Sequence, residues 1–298
     1  MFETMNAKYI IILARPEQWV KNFFVALPLF FSGALLDLEE WRRTVIAFFA
    51  FSFMASAVYC LNDIRDIESD KAHPRKCVRP LASGKVSVQA AWLLMAVLIA
   101  ASCATCFLPG SGQSLAVLGV VCFYLALNIA YCLRLKQYAI VDVFIVSFGF
   151  VLRVAAGGFA CDIWLSPWII LLTYLIALFL AFAKRRDDVA LRERTGLITR
   201  KNTVRYNLDF LNLTLGIIGA VSIVCYILYT VSPDVEARMG SRYVYTTSIF
   251  VLAGILRYLQ VSIVDTKSGS PTKILLHDRF IQTCIALWLL LFLIIIYL

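Results

Sequence analysis

The residues best equipped for chemistry lie together in the run Tyr59-Cys60-Leu61-Asn62-Asp63-Ile64-Arg65-Asp66-Ile67-Glu68-Ser69-Asp70. It leaves an apolar segment and enters charge with no Gly or Pro, so it is expected to stay helical. At about 100° per residue, Asp63 and Asp70 differ by about 20° and Asp66 lies about 60° and 40° from them, so three carboxylates share one face with Asn62 beside Asp66. Like charges at that spacing repel unless a cation sits among them. Carboxylate and amide oxygens suit Mg²⁺, which keeps several waters and is shared with substrate phosphates. A metal held there would neutralise charge growing on a departing diphosphate. The competing reading is a solvated helix end, with Arg65 and Lys71 as local partners. Four oxygen-bearing residues in one stripe where a membrane span emerges are costly as decoration. Asp63, Asp66 and Asp70 are therefore the candidate catalytic residues and, with Asn62, the candidate metal ligands.

Cations follow at once. The stretch 71–85 carries Pro74, Pro80 and Gly84, which favour a folded loop over a longer helix. Its Arg75, Lys76, Arg79 and Lys85 can meet phosphate oxygens that a metal leaves open, although positive charge beside a membrane also serves orientation and anionic lipid contact. His73 is a candidate base or a loop brace. A second basic group, Lys184-Arg185-Arg186-Asp187-Asp188, can hold phosphate monoesters directly or anchor a span. Asp142 and Arg153 lie within about 20° on one helix face but about 16 Å apart along it, too far to pair with each other. Each then needs another protein partner or a wet cavity, and the cavity is the favoured expectation. Arg15, Lys21 and Asn22 flank the start of an apolar segment and could line the same mouth, with snorkelling as the alternative for the two cations. Tyr131, Arg134 and Lys136 are balanced in the same way. Arg257-Tyr258 receive no role, and 265–279 reads as a polar connection.

These groups must be positioned by membrane helices. Of 298 residues, 61% are hydrophobic and 16% charged, with a mean hydropathy of +0.81. A soluble domain is roughly half apolar and a quarter charged. Apolar runs at 20–37, 44–62, 88–108, 114–133, 139–161, 166–183, 210–231, 243–263 and 280–298 predict about nine spans. All are expected to be α-helices, because lipid offers the backbone no water. The expected fold class is therefore all-α, one multi-pass membrane domain covering 1–298. Glu3 and Glu17 bracket a weak N-terminal stretch unlike a signal peptide, so the first span should be retained. Most of the 28 Lys and Arg fall in alternate connections, among them 65–85, 134–136 and 184–205. That bias places the N-terminus and the acidic cluster on the cytoplasmic side of the plasma (inner) membrane and the C-terminus outside. The nine cysteines lie mostly in apolar spans, where thiols act as small hydrophobes, and Cys103 and Cys106 are read as packing despite their spacing.

The run Asn62-Asp63-x-x-Asp66-x-x-x-Asp70, with His73-Pro74-x-Lys76-x-x-Arg79-Pro80-Leu81-Ala82-Ser83-Gly84 after it, resembles the first Asp-rich motif of the UbiA superfamily of intramembrane prenyltransferases. Leu13-Ala14-Arg15-Pro16-x-Gln18-Trp19-Val20-Lys21-Asn22, Tyr131-x-Leu133-Arg134-Leu135-Lys136, Gly149-Phe150-x-Leu152-Arg153-x-x-Ala156-Gly157 and Lys184-Arg185-Arg186 look like its decaprenyl-phosphate phosphoribosyltransferase branch. The resemblance implies a nine-helix bundle around a cavity open to cytosol and lipid. It also implies Mg²⁺-dependent transfer of 5-phosphoribose from phosphoribosyl pyrophosphate to a polyprenyl phosphate, releasing pyrophosphate. Metal and pyrophosphate would rest on Asn62, Asp63, Asp66 and Asp70. Substrate binding would fall to Arg15, Lys21, Asn22, Lys76, Arg79, Tyr131, Arg134, Lys136, Asp142, Arg153, Lys184, Arg185 and Arg186. The rival within the superfamily is an enzyme that moves a prenyl group from a prenyl diphosphate to an aromatic or other acceptor. Such enzymes carry a second Asp-rich motif after span six, whose aspartate spacing 184–188 lacks. A transporter with a coupling ion is the rival of another class, but it would place acidic residues at the midplane.

Overall fold

The computed structural model of the chain describes residues 7–72, 76–108, 110–196, 201–265, 274 and 277–297. His73 and Arg75 lie outside the described residues, as does most of the 265–279 connection. The regular elements among the described residues are α- and 3₁₀-helices. They comprise α1 (Ala7–Ala14), a 3₁₀ segment (Pro16–Ala26), α2 (Leu27–Ser32), α3 (Leu38–Arg65), α4 (Ile67–Lys71), α5 (Val88–Cys106) and α6 (Ser114–Leu133). After these come α7 (Val141–Ala160), α8 (Pro167–Thr195), α9 (Leu208–Thr230), α10 (Pro233–Met239), α11 (Ser248–Ile263) and α12 (Arg279–Tyr297). Eight of the described helical stretches are long and apolar enough to cross a membrane.

The ninth expected span, 20–37, is not an α-helix of that length. Arg15 adopts φ 52°, a left-handed conformation that stops α1, and Pro16 opens an eleven-residue 3₁₀ helix. That segment runs antiparallel along α3. Arg15 meets Asp63, Trp19 Nε1 donates to Ser56 Oγ at 2.9 Å, Asn22 Nδ2 donates to Ser52 Oγ at 2.9 Å, and Phe23 packs on Phe48. From Arg15 to Asn22 the partners advance from Asp63 to Ser52, about 16 Å of α-helix or about 2.3 Å per segment residue, close to the 3₁₀ rise of about 2.0 Å. The expected traverse is thus made in a more extended form. Three residues per turn give the segment three faces. Trp19, Asn22 and Val25 dock on the protein, Val20 and Phe23 are exposed, and Lys21 and Phe24 form the third face, with Phe24 packed edge-on against Phe150 of α7.

The chain divides into two compact units, 1–136 with 149–165, and 137–148 with 166–298. Helix α7 contributes its first residues to the second unit and the remainder to the first. In the first unit α3 is the axis, packed by α5, α6, α1 and the 3₁₀ segment. Asp37 caps its N-terminus by accepting from Glu39 N at 2.8 Å, satisfying an amide that has no partner within the helix. Its core includes Val25, Phe51, Met54, Val121, Tyr124, Leu152 and Ala156. Gly157 lets α7 touch the 3₁₀ backbone, since a Cβ there would stand 1.9 Å from Val25 O.

In the second unit α8 packs on α9, α9 on α11, and α11 on α12, around Phe179, Phe182, Leu211, Leu215, Ile255 and Tyr258. Helix α8 starts at Pro167 behind the Ser166 cap and continues through 184–188 to the left-handed Gly196. The expected end near 183 is therefore corrected: no Gly or Pro interrupts the sequence there, and Lys184 to Asp188 are helical rather than a loop.

Candidate active site

The acidic stripe lies in the first unit, and its helix is not continuous. Helix α3 ends at Arg65, Asp66 takes φ −100° and ψ 7°, and α4 restarts at Ile67. The single carboxylate face expected from an unbroken helix is corrected accordingly. Aspartate is a poor interior helix residue, and the break lets Asp66 turn to Lys136, whose Nζ lies 2.5 Å from Oδ1. Asp63 and Asp70 do come together. Each is 2% exposed, and a single guanidinium nitrogen, Arg79 Nη1, lies 3.1 Å from Asp63 Oδ1 and 2.6 Å from Asp70 Oδ2. Arg15 Nη2 bonds both Asp63 oxygens, at 2.5 and 2.7 Å, and stacks over Tyr59 at 5.2 Å. Lys76 stands 3.9 Å from Asp70, and Asn62 accepts from the Cys132 thiol at 3.7 Å. The left-handed backbone at Arg15 costs about 1–3 kcal/mol, and it redirects the chain so that this guanidinium reaches Asp63.

Three carboxylates and an amide oxygen are the hard donors that Mg²⁺ prefers, and a cation already stands between Asp63 and Asp70 in the form of Arg79. The residues therefore fit the metal by donor chemistry and by their need for a bridging positive charge. In the present arrangement no three His, Cys, Asp or Glu side chains among the described residues form a metal-sized group, and Asp66 is paired with Lys136. Four cations, Arg15, Lys76, Arg79 and Lys136, stand within 4 Å of the three carboxylates, so their negative charge is already compensated.

Deeper along α3, Arg153 is 4% exposed. Its Nε donates to Asn22 Oδ1 at 2.8 Å, Nη1 to Gly149 O at 2.7 Å and Nη2 to Tyr124 Oη at 3.5 Å. Phe51, Phe150 and Tyr124 surround its plane at 4.8, 5.1 and 5.3 Å. Tyr131 is half-buried, and Arg134 is exposed at the C-terminus of α6. In the second unit Asp142 is fully buried and bonded by Arg185, with Nε and Nη2 both 2.7 Å from Oδ2. Arg186 Nε donates to Asn212 at 2.7 Å, while Lys184 is exposed. The cavity expected for Asp142 and Arg153 is thus corrected, since both have protein partners. Packing of α7 against α8 and against the 3₁₀ segment supplies what neither could find on its own helix.

Sequence reasoning missed Ser52, Ser56, Tyr59 and Tyr124. The two serines sit four apart on one face of α3, a polar stripe in an apolar helix, and that was the available signal.

An all-helical, multi-pass membrane protein whose first unit gathers buried carboxylates and cations at one helix end is the class this geometry defines. The UbiA prenyltransferase family model matches residues 23–207. The chain is 36% identical over 291 residues to the decaprenyl-phosphate phosphoribosyltransferase of Mycolicibacterium smegmatis, covering 94% of this chain and 90% of that one. It is likewise 36% identical over 280 residues to that of Corynebacterium glutamicum, with 92% and 82% covered. In fold it is similar to a UbiA homolog from Archaeoglobus fulgidus solved with GPP and Mg²⁺, with a TM-score of 0.68, 20% identity, and 97% and 100% of the chains covered. The chain belongs to the UbiA prenyltransferase family. It is a membrane transferase of that family.

Proposed function

We propose that this chain transfers 5-phosphoribose from phosphoribosyl pyrophosphate to a polyprenyl phosphate of the decaprenyl type, with Mg²⁺ and release of pyrophosphate. The observation that carries the reading is the charge balance around Asp63, Asp66 and Asp70. With Arg15, Arg79 and Lys136 already compensating them, a bare divalent ion would leave excess positive charge. A divalent ion arriving with an anionic diphosphate would not. Similarity across nearly the whole chain to two named phosphoribosyltransferases supports the choice of donor. So does the cation-rich 184–186 turn of α8, where a second Asp-rich motif would serve a prenyl diphosphate.

In this reading Asn62, Asp63, Asp66 and Asp70 hold the metal and the pyrophosphate end of the donor. When bound, Mg²⁺ neutralises charge growing on the leaving pyrophosphate. Arg79, Lys76, Arg15 and Lys136 stand against those carboxylates and can turn to pyrophosphate oxygens. As the bond from C1 to pyrophosphate lengthens, the ribose gains oxocarbenium character, and the ionised lipid phosphate attacks C1 from the opposite face. The nucleophile is already an anion, so no strong base is required. The protein's contribution is positioning and electrostatic stabilisation of two anionic reactants. The bias of Lys and Arg toward the connections after α3, α6 and α8 supports a cytoplasmic site.

The test is to incubate membranes with labelled phosphoribosyl pyrophosphate or labelled prenyl diphosphate and ask which label enters the lipid fraction. Ribose label in lipid, lost in Asp66→Asn and Asp70→Asn proteins that remain folded, is the expected result. Prenyl label transferred to an acceptor, or full turnover in both variants, would overturn it.

A further inference from the structure

The connection between α6 and α7 holds a conformation that its sequence does not favour. Ile140 adopts φ 70°, the left-handed region, where a branched Cβ crowds the backbone and glycine is the natural occupant. The Val141 amide donates to Ala139 O at 2.8 Å across it, which makes a γ-turn of the rare, strained hand. The Ile140 side chain is 46% exposed, so its packing does not impose this backbone. The Ile140 amide has a partner of its own, donating to Tyr206 Oη at 2.5 Å. Tyr206 is buried, its ring stacked on Phe210 at 5.9 Å and edge-on to Phe182 at 6.3 Å. Arg192 holds the backbone beside it, donating to Thr203 O at 2.6 Å and to Tyr206 O at 3.1 Å. The Tyr206 hydroxyl is therefore a fixed point that the turn must meet. Arg185 grips Asp142 two residues further on, but that pair anchors α7 beyond the turn and leaves φ at Ile140 free.

We infer that Tyr206 is a positioning residue for the proposed transfer, holding Ile140 left-handed so that Lys136 is delivered to Asp66. The inference rests on the proposed part of Asp66 in binding metal and pyrophosphate. Lys136 lies four residues before Ile140, in the 3₁₀ turn Leu135–Gln137, with Nζ 2.5 Å from Asp66 Oδ1. Both side chains of that pair are 26% exposed, and an ion pair so open to solvent contributes little toward holding a backbone in place. Four residues reach at most about 14 Å. Reversing φ at one end redirects a lever of that length, and a misplacement of about 1 Å at the reacting end is enough to cost about a hundredfold in rate. Strain of this kind persists only where the surroundings over-determine it. Without Tyr206 Oη the turn relaxes to the right-handed side, which an exposed isoleucine prefers by about tenfold. With Asp142 anchored by Arg185, the end that moves is the one carrying Lys136.

The test uses the purified full chain in nanodiscs as Tyr206→Phe, Ile140→Gly and the double variant. Two quantities are followed: ribosyl transfer, and the rate at which an amine-acylating reagent modifies Lys136, read residue by residue by mass spectrometry. Tyr206→Phe keeps the ring and its stacking and removes one neutral hydrogen bond, so it is expected to fold. It should raise the acylation rate of Lys136 several-fold and lower kcat/KM for phosphoribosyl pyrophosphate about tenfold. Lys71, paired with Glu68 at 2.9 Å, should be acylated at an unchanged rate. Ile140→Gly alone should match wild type in both readouts, because glycine takes positive φ without steric cost, and in the Tyr206→Phe background it should recover most of both losses. A tyrosine that only stabilised the fold would gain nothing from a glycine that adds freedom to the chain. Unchanged Lys136 acylation in Tyr206→Phe, or a double variant no better than Tyr206→Phe alone, would overturn the assignment. Acylation reports position without reference to the reaction. Tyr206-dependent protection of Lys136 with no ribose label entering lipid removes the proposed donor and leaves the positioning of Lys136 standing, whereas ribosyl transfer indifferent to Tyr206→Phe removes the inference.

Discussion

The ion pair between Asp142 and Arg185 offers a measurement that separates a structural from a substrate-binding role. Asp142 is 0% exposed and Arg185 3%, both guanidinium bonds fall on Asp142 Oδ2, and Oδ1 has no hydrogen-bond partner. Removing one member of a buried pair costs about 3–5 kcal/mol, because the survivor keeps an uncompensated charge. The two single variants are not equivalent. In Asp142→Leu, Arg185 retains Asp188 at 3.6 Å, so the loss should fall near the lower end, about 3 kcal/mol. In Arg185→Met, Asp142 loses both hydrogen bonds in a fully buried position, so the loss should approach about 5 kcal/mol. The double variant removes both charges and should sit near wild type or above it, since apolar replacement of a buried pair is often neutral or stabilising by about 1–4 kcal/mol. Unfolding in mixed micelles reads this as a shift of about a hundredfold or more in the equilibrium constant for each single change, cancelled in the double. Single variants with unaltered stability and a raised KM for either substrate would refute the reasoning and return the pair to the substrate site.

Three further outcomes are expected. Arg79→Gln removes the nitrogen shared by Asp63 and Asp70 and should cost about 1.5–3 kcal/mol in metal-free buffer; adding Mg²⁺ with pyrophosphate should raise its melting temperature more than that of wild type, and equal shifts would argue against a cation-bridged site. Gly157→Val forces a Cβ into Val25 O and should destabilise by about 1–3 kcal/mol, with impaired transfer because the 3₁₀ segment moves, whereas Gly216→Ala, with nothing within 4 Å of the new Cβ, should leave the melting temperature unchanged or raise it. Asp278 accepts from Arg257 Nε and Nη2 at 3.0 and 2.9 Å, and these bonds, with smaller help from the Ile281 amide, hold its carboxyl below the ordinary range. A depressed folded value contributes stability above the unfolded pKa of about 3.9 and loses it as pH falls further, so Asp278→Asn should lower the melting temperature at pH 7 by an amount that shrinks below about pH 4.

The local features of this protein were legible in its sequence because they depend on neighbours along the chain. Apolar runs between charged breaks marked the long helices, since hydrocarbon leaves the backbone no alternative. The spacing of Asn62, Asp63, Asp66 and Asp70 brought acidic residues to one end of α3. Pro16 just before the first expected span and Pro28 within it were visible, yet an apolar count does not distinguish an α-helix from an eleven-residue 3₁₀ helix. That form follows from the fit of Trp19 and Asn22 to Ser56 and Ser52, residues thirty or more positions away.

Partnership among charges was decided by tertiary structure alone. Arg15 finds Asp63 across 48 positions, Lys136 finds Asp66 across 70, and Arg185 finds Asp142 across 43. Nothing local selects these pairs over Arg65 and Lys71, which lie nearer in sequence. A buried ion takes the counter-charge that helix packing places within about 3 Å of it, because in a low-dielectric setting the interaction depends on that final distance and on the exclusion of water.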